Sequence, residues 1–143
     1  MMGKYFLDTN IFLRAIVKED KKSFSECHTF LRLIEKKKIQ AFTANIILAE
    51  IVWTLGSYYK FSRREILTTL RGIQSIKGLA MIDKHNLSVT LEMFEKSSVK
   101  YVDCLISSLP MILAQKSTVI SYDNDFDKLG VKCQTPGKVI MGL

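Results

Sequence analysis

The sequence is poor in the residues that break chains, staple them or bind soft metals. Two prolines, Pro110 and Pro136, and seven glycines are spread over 143 residues, with no Gly/Ser-rich or low-complexity stretch that could serve as a linker and no internal repeat. Three cysteines, Cys27, Cys104 and Cys133, stand far apart without CxxC or Cys/His spacing. That pattern argues against both a disulfide framework and a zinc site. The two histidines, His28 and His85, are expected at surface or capping positions. No uncharged run approaches the roughly 20 residues that a membrane-spanning helix needs. An aspartate at position 8 interrupts what would be the apolar centre of a secretory leader. These absences lead to the expectation of a cytoplasmic protein with reduced thiols and no membrane partner. Ser107 and Ser108 lack any G-x-S-x-G context, so a hydrolase with a serine elbow is not supported.

Acidic residues are also in the minority. Fourteen Asp and Glu face 21 Lys and Arg, which gives +7 and a sequence pI of about 9.4. A basic balance of this size points mildly to a polyanionic partner, through its long-range field and through counterion release on binding. Apolar residues at 48% and charged residues at 24% are ordinary for a globular chain, and the length suits one domain, 1–143.

Apolar periodicity then divides the chain into alternating elements. Short strands are expected at 5–7, 39–43, 79–82, 118–122 and 131–134. Helices are expected at 11–17, 24–37, 45–59, 62–76, 87–96 and 102–115, the last with Pro110 as a candidate kink. Ser62 with Glu65 three residues on reads as a capping box. Strand–helix alternation with short apolar strands implies a parallel sheet covered on both faces, with its ligand site at the carboxyl ends of strands. Trp53, Tyr58 and Tyr59 give the 45–59 helix more apolar surface than one face requires; core packing is the expectation, a protein interface the alternative.

Most acids lie among other charges on expected solvent faces, and Asp127 beside Lys128 belongs to a polar turn. Four acids do not fit that description. Asp8 is the only charge between Tyr5 and Leu13, Glu50 the only one between Ile39 and Tyr59, and Asp103 the only one between Tyr101 and Gln115. Asp123 ends the 118–122 strand, with Asp125 two residues later. Within their expected helices neither Glu50 nor Asp103 has a basic neighbour. An ionised carboxylate in apolar structure costs several kcal/mol unless something pairs with it. For one such residue a helix cap or a distant lysine suffices as an explanation. For four in separate elements, a shared divalent cation explains them together, and an all-oxygen donor set suits Mg²⁺ or Mn²⁺.

The segments carrying these acids resemble the motifs of PIN-domain ribonucleases, as in VapC-type toxins of prokaryotic toxin–antitoxin pairs. Phe6-Leu7-Asp8-Thr9-Asn10 is similar to the opening motif. Ala49-Glu50-Ile51, Val102-Asp103-Cys104-Leu105-Ile106 and Ser121-Tyr122-Asp123-Asn124-Asp125-Phe126 follow in the family's order. The resemblance implies a three-layer α/β/α fold with a central, mainly parallel sheet and metal-dependent cleavage of RNA. It implies catalytic and metal-holding roles for Asp8, Glu50, Asp103 and Asp123, with Asp125 as a further ligand. Asn10 would orient Asp8, and Ser121 stands where the family often has Thr. A homodimer and a cognate antitoxin protein are the partners it implies. Arg14, about one helical turn beyond Asp8, is the expected phosphate contact; Lys36-Lys37-Lys38 and Lys60, Arg63, Arg64 are weaker candidates. The alternatives are a PIN-fold RNA-processing nuclease outside toxin–antitoxin systems and a non-catalytic RNA-binding or regulatory module. A phospho-acceptor receiver domain fits poorly, because it wants an acidic pair after the first strand, where Asp8 stands alone.

Overall fold

The computed structural model describes residues 4–143. Residues 1–3, which fall within the expected domain and the leader argument, lie outside the described residues. In chain order the elements are β1 (Lys4–Leu7), α1 (Thr9–Ile16), α2 (Lys21–Glu35), β2 (Gln40–Thr43), α3 (Asn45–Ser57), α4 (Arg63–Gln74) and β3 (Leu79–Met81). There follow α5 (Leu87–Lys96), α6 (Tyr101–Ser107), α7 (Pro110–Leu113), β4 (Ser117–Ile120), α8 (Asp125–Lys128), β5 (Cys133–Gln134) and α9 (Pro136–Met141). Among the described residues the strands form one sheet in the order β3-β2-β1-β4-β5, with every pairing parallel.

That order determines where a site can form. From β1 the chain steps outward through β2 to β3, then returns across the sheet to β4 and continues to β5 on the other side. Right-handed crossovers in opposite directions put α1 to α4 on one face and α5 to α8 on the other. The contacts agree: α1 packs on α2 and α3, and α6 packs on α5, α7 and α8. The three-layer α/β/α arrangement is the one expected. Its switch point lies between β1 and β4, where Leu7 pairs with Ile120. At such a point the loops leaving two adjacent strands part to opposite faces and open a crevice at the carboxyl edge.

The strands are short apolar runs because both faces are covered. Phe6 and Phe42 meet edge-to-face across β1 and β2 with centroids 5.3 Å apart, and Tyr5 meets Phe30 of α2 at 5.8 Å. Gly78 leads into β3 with φ +84°, and its carbonyl accepts from Ala41 N at 3.2 Å. A Cβ there would stand 2.4 Å from the backbone oxygen of Ile34. Left-handed strain and this backbone clash act together, so Gly78→Ala should cost about 2–3 kcal/mol. Equilibrium denaturation is the check; a loss below about 0.5 kcal/mol would contradict this reading of the turn.

Several local expectations change. The helix expected over 102–115 is two helices, because Pro110 occupies the first turn of α7 and holds Leu109 extended, at φ −62° and ψ 135°. Proline has no N–H to donate and disfavours α geometry in the residue before it, so a break replaces the kink. The strand expected to 122 ends at Ile120, leaving Ser121 and Asp123 in the loop. The strand expected over 131–134 is confined to Cys133–Gln134. The final helix, α9, was not expected; Thr135 caps it and Pro136 stands at its first position. The capping box of α4 forms, with Ser62 Oγ accepting from Glu65 N at 3.1 Å and Ser62 N donating to Glu65 Oε1 at 2.8 Å.

Core packing accounts for Tyr59, just after α3, but not for Trp53 or Tyr58. Ile47, Ile51 and Leu55, spaced by four, form its buried stripe, whereas Trp53 is 70% and Tyr58 72% exposed; Tyr59 is half-buried. His28 is exposed and stacks on Phe24, as a surface histidine should, and His85 is half-buried. Cys27 and Cys104 are buried and Cys133 half-buried, all as free thiols. Among the described residues no helix is long and apolar enough to cross a membrane.

Candidate active site

Asp8 is the first residue after β1 and the N-cap of α1. Its backbone N–H donates to Ile120 O at 3.1 Å, continuing the β1–β4 ladder past the last strand residue. One carboxylate oxygen accepts from Thr9 N at 2.8 Å and the other from Ser121 Oγ at 2.7 Å. The Ser121 hydroxyl is fully used, since it also accepts from Asn10 Nδ2 at 3.1 Å and from Asp123 N at 3.0 Å. Asn10 therefore reaches Asp8 through Ser121, not directly. Its own oxygen accepts from Tyr122 N at 3.3 Å. One short side chain after β4 thus orients the acid after β1 and shapes the loop that carries Asp123.

The other acids arrive from three elements. Glu50, half-buried on α3, accepts from Thr9 Oγ1 at 2.5 Å, so Thr9 joins α3 to the start of α1. Asp103 lies in the first turn of α6 and is 1% exposed. Neither of its carboxylate oxygens has a hydrogen-bond partner among the described residues. Asp123 Oδ1 accepts from Asp125 N at 2.9 Å, which folds the loop back on itself. Ligand oxygens of Asp103, Asp123 and Asp125 lie within 4.8 Å of one another. Asp125 also pairs with Lys128 at 3.1 Å. Asp127 is exposed, as expected, but lies on the short helix α8 and not in a turn.

The electrostatics follow from this crowding. Burial pushes the Asp103 carboxyl up to about 7; Lys100 opposes the shift, and the charges of Asp8, Asp123 and Glu50 add to it. Burial also raises Asp8, and its bonds from Ser121 and Thr9 offset this only in part. Lys100 is the one residue of this group that the sequence reading missed. It is the N-cap residue of α6, three before Asp103, because the helix begins one residue earlier than expected. Its ammonium stands 3.9 Å from Asp103 Oδ1 and 3.8 Å from Asp123 Oδ2. Burial works against that charge, but Asp103, Glu50, Asp8 and Asp123 outweigh it and raise its pKa. The i, i+3 spacing was a usable signal for the Asp103 contact; nothing local announced the reach to Asp123.

A buried carboxylate with two unpartnered oxygens, facing two more carboxylates, is a strained arrangement for a metal-free protein. It suits a hard divalent cation that takes several oxygens at once. Arg14 stands apart from this group. Its guanidinium lies 4.4 Å above the Tyr122 ring and donates to Ser23 Oγ at 3.1 Å, next to the acidic loop but not on it. Tyr122 is held in turn by its hydroxyl, which donates to Glu26 Oε1 at 2.8 Å. Lys36, Lys37 and Lys38 precede the amino end of β2, the sheet edge opposite the carboxylates. They are therefore solvated helix-end charges and do not border this site.

Comparison with known proteins adds two findings and an absence. No curated protein matches the chain in sequence. A chain in the crystal structure of VapBC2 from Rickettsia felis, bound to a DNA fragment from their promoter, is similar in fold. The TM-score is 0.66 and the identity 22%, over 92% of this chain and 98% of that one. The family model described as the PIN domain matches residues 5–132, a span that begins in β1, takes in all five acids and ends just before β5. The chain belongs to the PIN domain family.

Proposed function

We propose that this protein is a divalent-metal-dependent ribonuclease and the toxin member of a VapBC-type toxin–antitoxin pair. PIN domains are in general metal-dependent nucleases. The observation that carries the reading to this chain is Asp103, buried with two unpartnered oxygens inside a group of three carboxylates at the switch point of the sheet.

In this reading Asp103, Asp123 and Asp125 hold the ion, and Asp8 and Glu50 complete the acidic wall. When bound, Mg²⁺ or Mn²⁺ supplies an activated water and neutralises charge developing on the phosphate. Ser121 keeps Asp8 in one orientation through its saturated hydroxyl, and Thr9 does the same for Glu50. Asn10 ties the Ser121 hydroxyl and the Tyr122 backbone to α1. Arg14, stacked on Tyr122 beside the acidic loop, offers a guanidinium for a backbone phosphate of the RNA. An antitoxin partner is supported by the likeness to a chain of the VapBC2 complex. The exposed Trp53 and Tyr58 provide apolar surface for a partner chain, and the assembly we expect is a homodimer in the cytoplasm.

The purified protein should cut single-stranded RNA with Mg²⁺ or Mn²⁺ present and stop when a chelator is added. Gel electrophoresis of an end-labelled transcript reads this. Cleavage that persists undiminished in excess chelator would overturn the metal-dependent reading, and RNA binding without cleavage would favour a non-catalytic module.

A further inference from the structure

Lys100 stands among the acids in an unusual way. Its ammonium lies almost equally far from Asp103 Oδ1 and Asp123 Oδ2, at 3.9 and 3.8 Å, and neither distance makes a hydrogen bond. Asp103 keeps both oxygens unpartnered although a cation is nearby. The ammonium therefore offsets the negative charge of the group without occupying any ligand position. It is tethered to the turn that carries Asp103, and its side chain is 56% exposed, so it can leave for solvent without disturbing the core.

We propose that Lys100 is a built-in counter-ion that competes with the divalent metal for the carboxylate group. The proposal rests on the metal-dependent reading above and adds a role for a residue to which that reading assigns none. In the metal-free protein, the lysine relieves repulsion among Asp103, Asp123, Asp8 and Glu50. When a divalent ion takes the carboxylates, two cations of the same sign stand a few ångströms apart, and the lysine swings outward. The lysine thus sets the metal concentration at which the site fills. A unit charge about 5 Å from a divalent ion in a water-like medium changes the metal's affinity by about tenfold, less at high salt.

The test compares wild type with Lys100→Gln and Lys100→Arg by isothermal titration with Mn²⁺ and by thermal unfolding in chelator, both at pH 8. Lys100→Gln should bind Mn²⁺ about tenfold more tightly while its metal-free form melts a few degrees lower. Lys100→Arg, which keeps the charge, should stay near wild type in both. The opposed directions matter, because a lysine with a purely structural role would weaken metal binding and stability together. Equal or weaker Mn²⁺ binding by a folded Lys100→Gln, beside a wild type that binds, would overturn the proposal and leave the metal-dependent reading standing. A wild type that binds no Mn²⁺ would overturn both. Should Lys100→Gln fail to fold, Lys100→Met is titrated in its place, under the same criteria.

Discussion

Asp103→Asn should reduce metal-dependent RNA cleavage by on the order of 10²–10³ and at the same time make the metal-free protein harder to unfold. The two effects have one cause. Asp103 sits in the first turn of α6, 1% exposed, with no donor to either oxygen among the described residues. Its ionised form costs the fold both desolvation and repulsion from Asp8, Asp123 and Glu50, which is why its pKa rises to about 7. A neutral amide of the same shape removes the charge and leaves only an imperfectly bonded polar group. At pH 8 the net gain should be about 1–3 kcal/mol. Asp8→Asn should lower cleavage as strongly with a smaller gain. Asp8 already has donors on both oxygens and caps α1, a position that asparagine fills about as well. Rates from single-turnover cleavage and urea midpoints in chelator separate the two variants. A wild-type rate in Asp103→Asn would remove this residue from the catalytic site.

The second large effect is a stability slope that runs opposite to ordinary acid denaturation. Asp103 has a folded-state pKa of about 7 against an ordinary 3.8, so the fold favours its protonated form. The stabilisation this brings is complete below about pH 4 and is lost as pH rises to about 7. A shift of this size corresponds to about 4 kcal/mol as an upper figure. Asp8, also raised by burial, contributes in the same direction. The capping acids Asp20 and Glu65 act the other way, since hydrogen bonds from Ser23 and Ser62 hold their pKa values low. Their contribution is present above the usual carboxylate range and lost only below it, so it does not mask a decline between pH 5 and 7. Denaturant titrations in chelator should show that decline. Saturating Mg²⁺ or Mn²⁺ should flatten it, because the metal stabilises the ionised carboxylates. Stability that rises steadily from pH 5 to 7 in chelator would mean that Asp103 is better compensated than its surroundings indicate.

The way these acids became visible bears on what a sequence can reveal. Asp8, Glu50, Asp103 and Asp123 stood out because each interrupts an apolar run, and the cost of burying a charge makes such interruptions informative in one dimension. The simpler explanations, a helix cap or a distant lysine, are also realised: Asp8 caps α1, and Lys100 faces Asp103 and Asp123. A side chain can serve as a cap and still belong to a charged group, so the two accounts do not compete here.

What the sequence by itself determined is the alternation of short apolar strands and amphipathic helices, hence a parallel sheet with its site at the carboxyl edge. It also determined the capping box of α4 and the acids without local partners. These depend on period and on the immediate neighbours, and both are written along the chain. Only the tertiary structure decided that Ser121 orients Asp8 across 113 positions, that Thr9 holds Glu50 across 41, and that Lys100 reaches Asp123. It also decided that Trp53 and Tyr58 face outward. The physical reason is the same in each case. Hydrogen bonds, ion pairs and the choice of buried face depend on which elements the strand order brings side by side, and residues far apart in the chain meet only once β1 has paired with β2 and with β4.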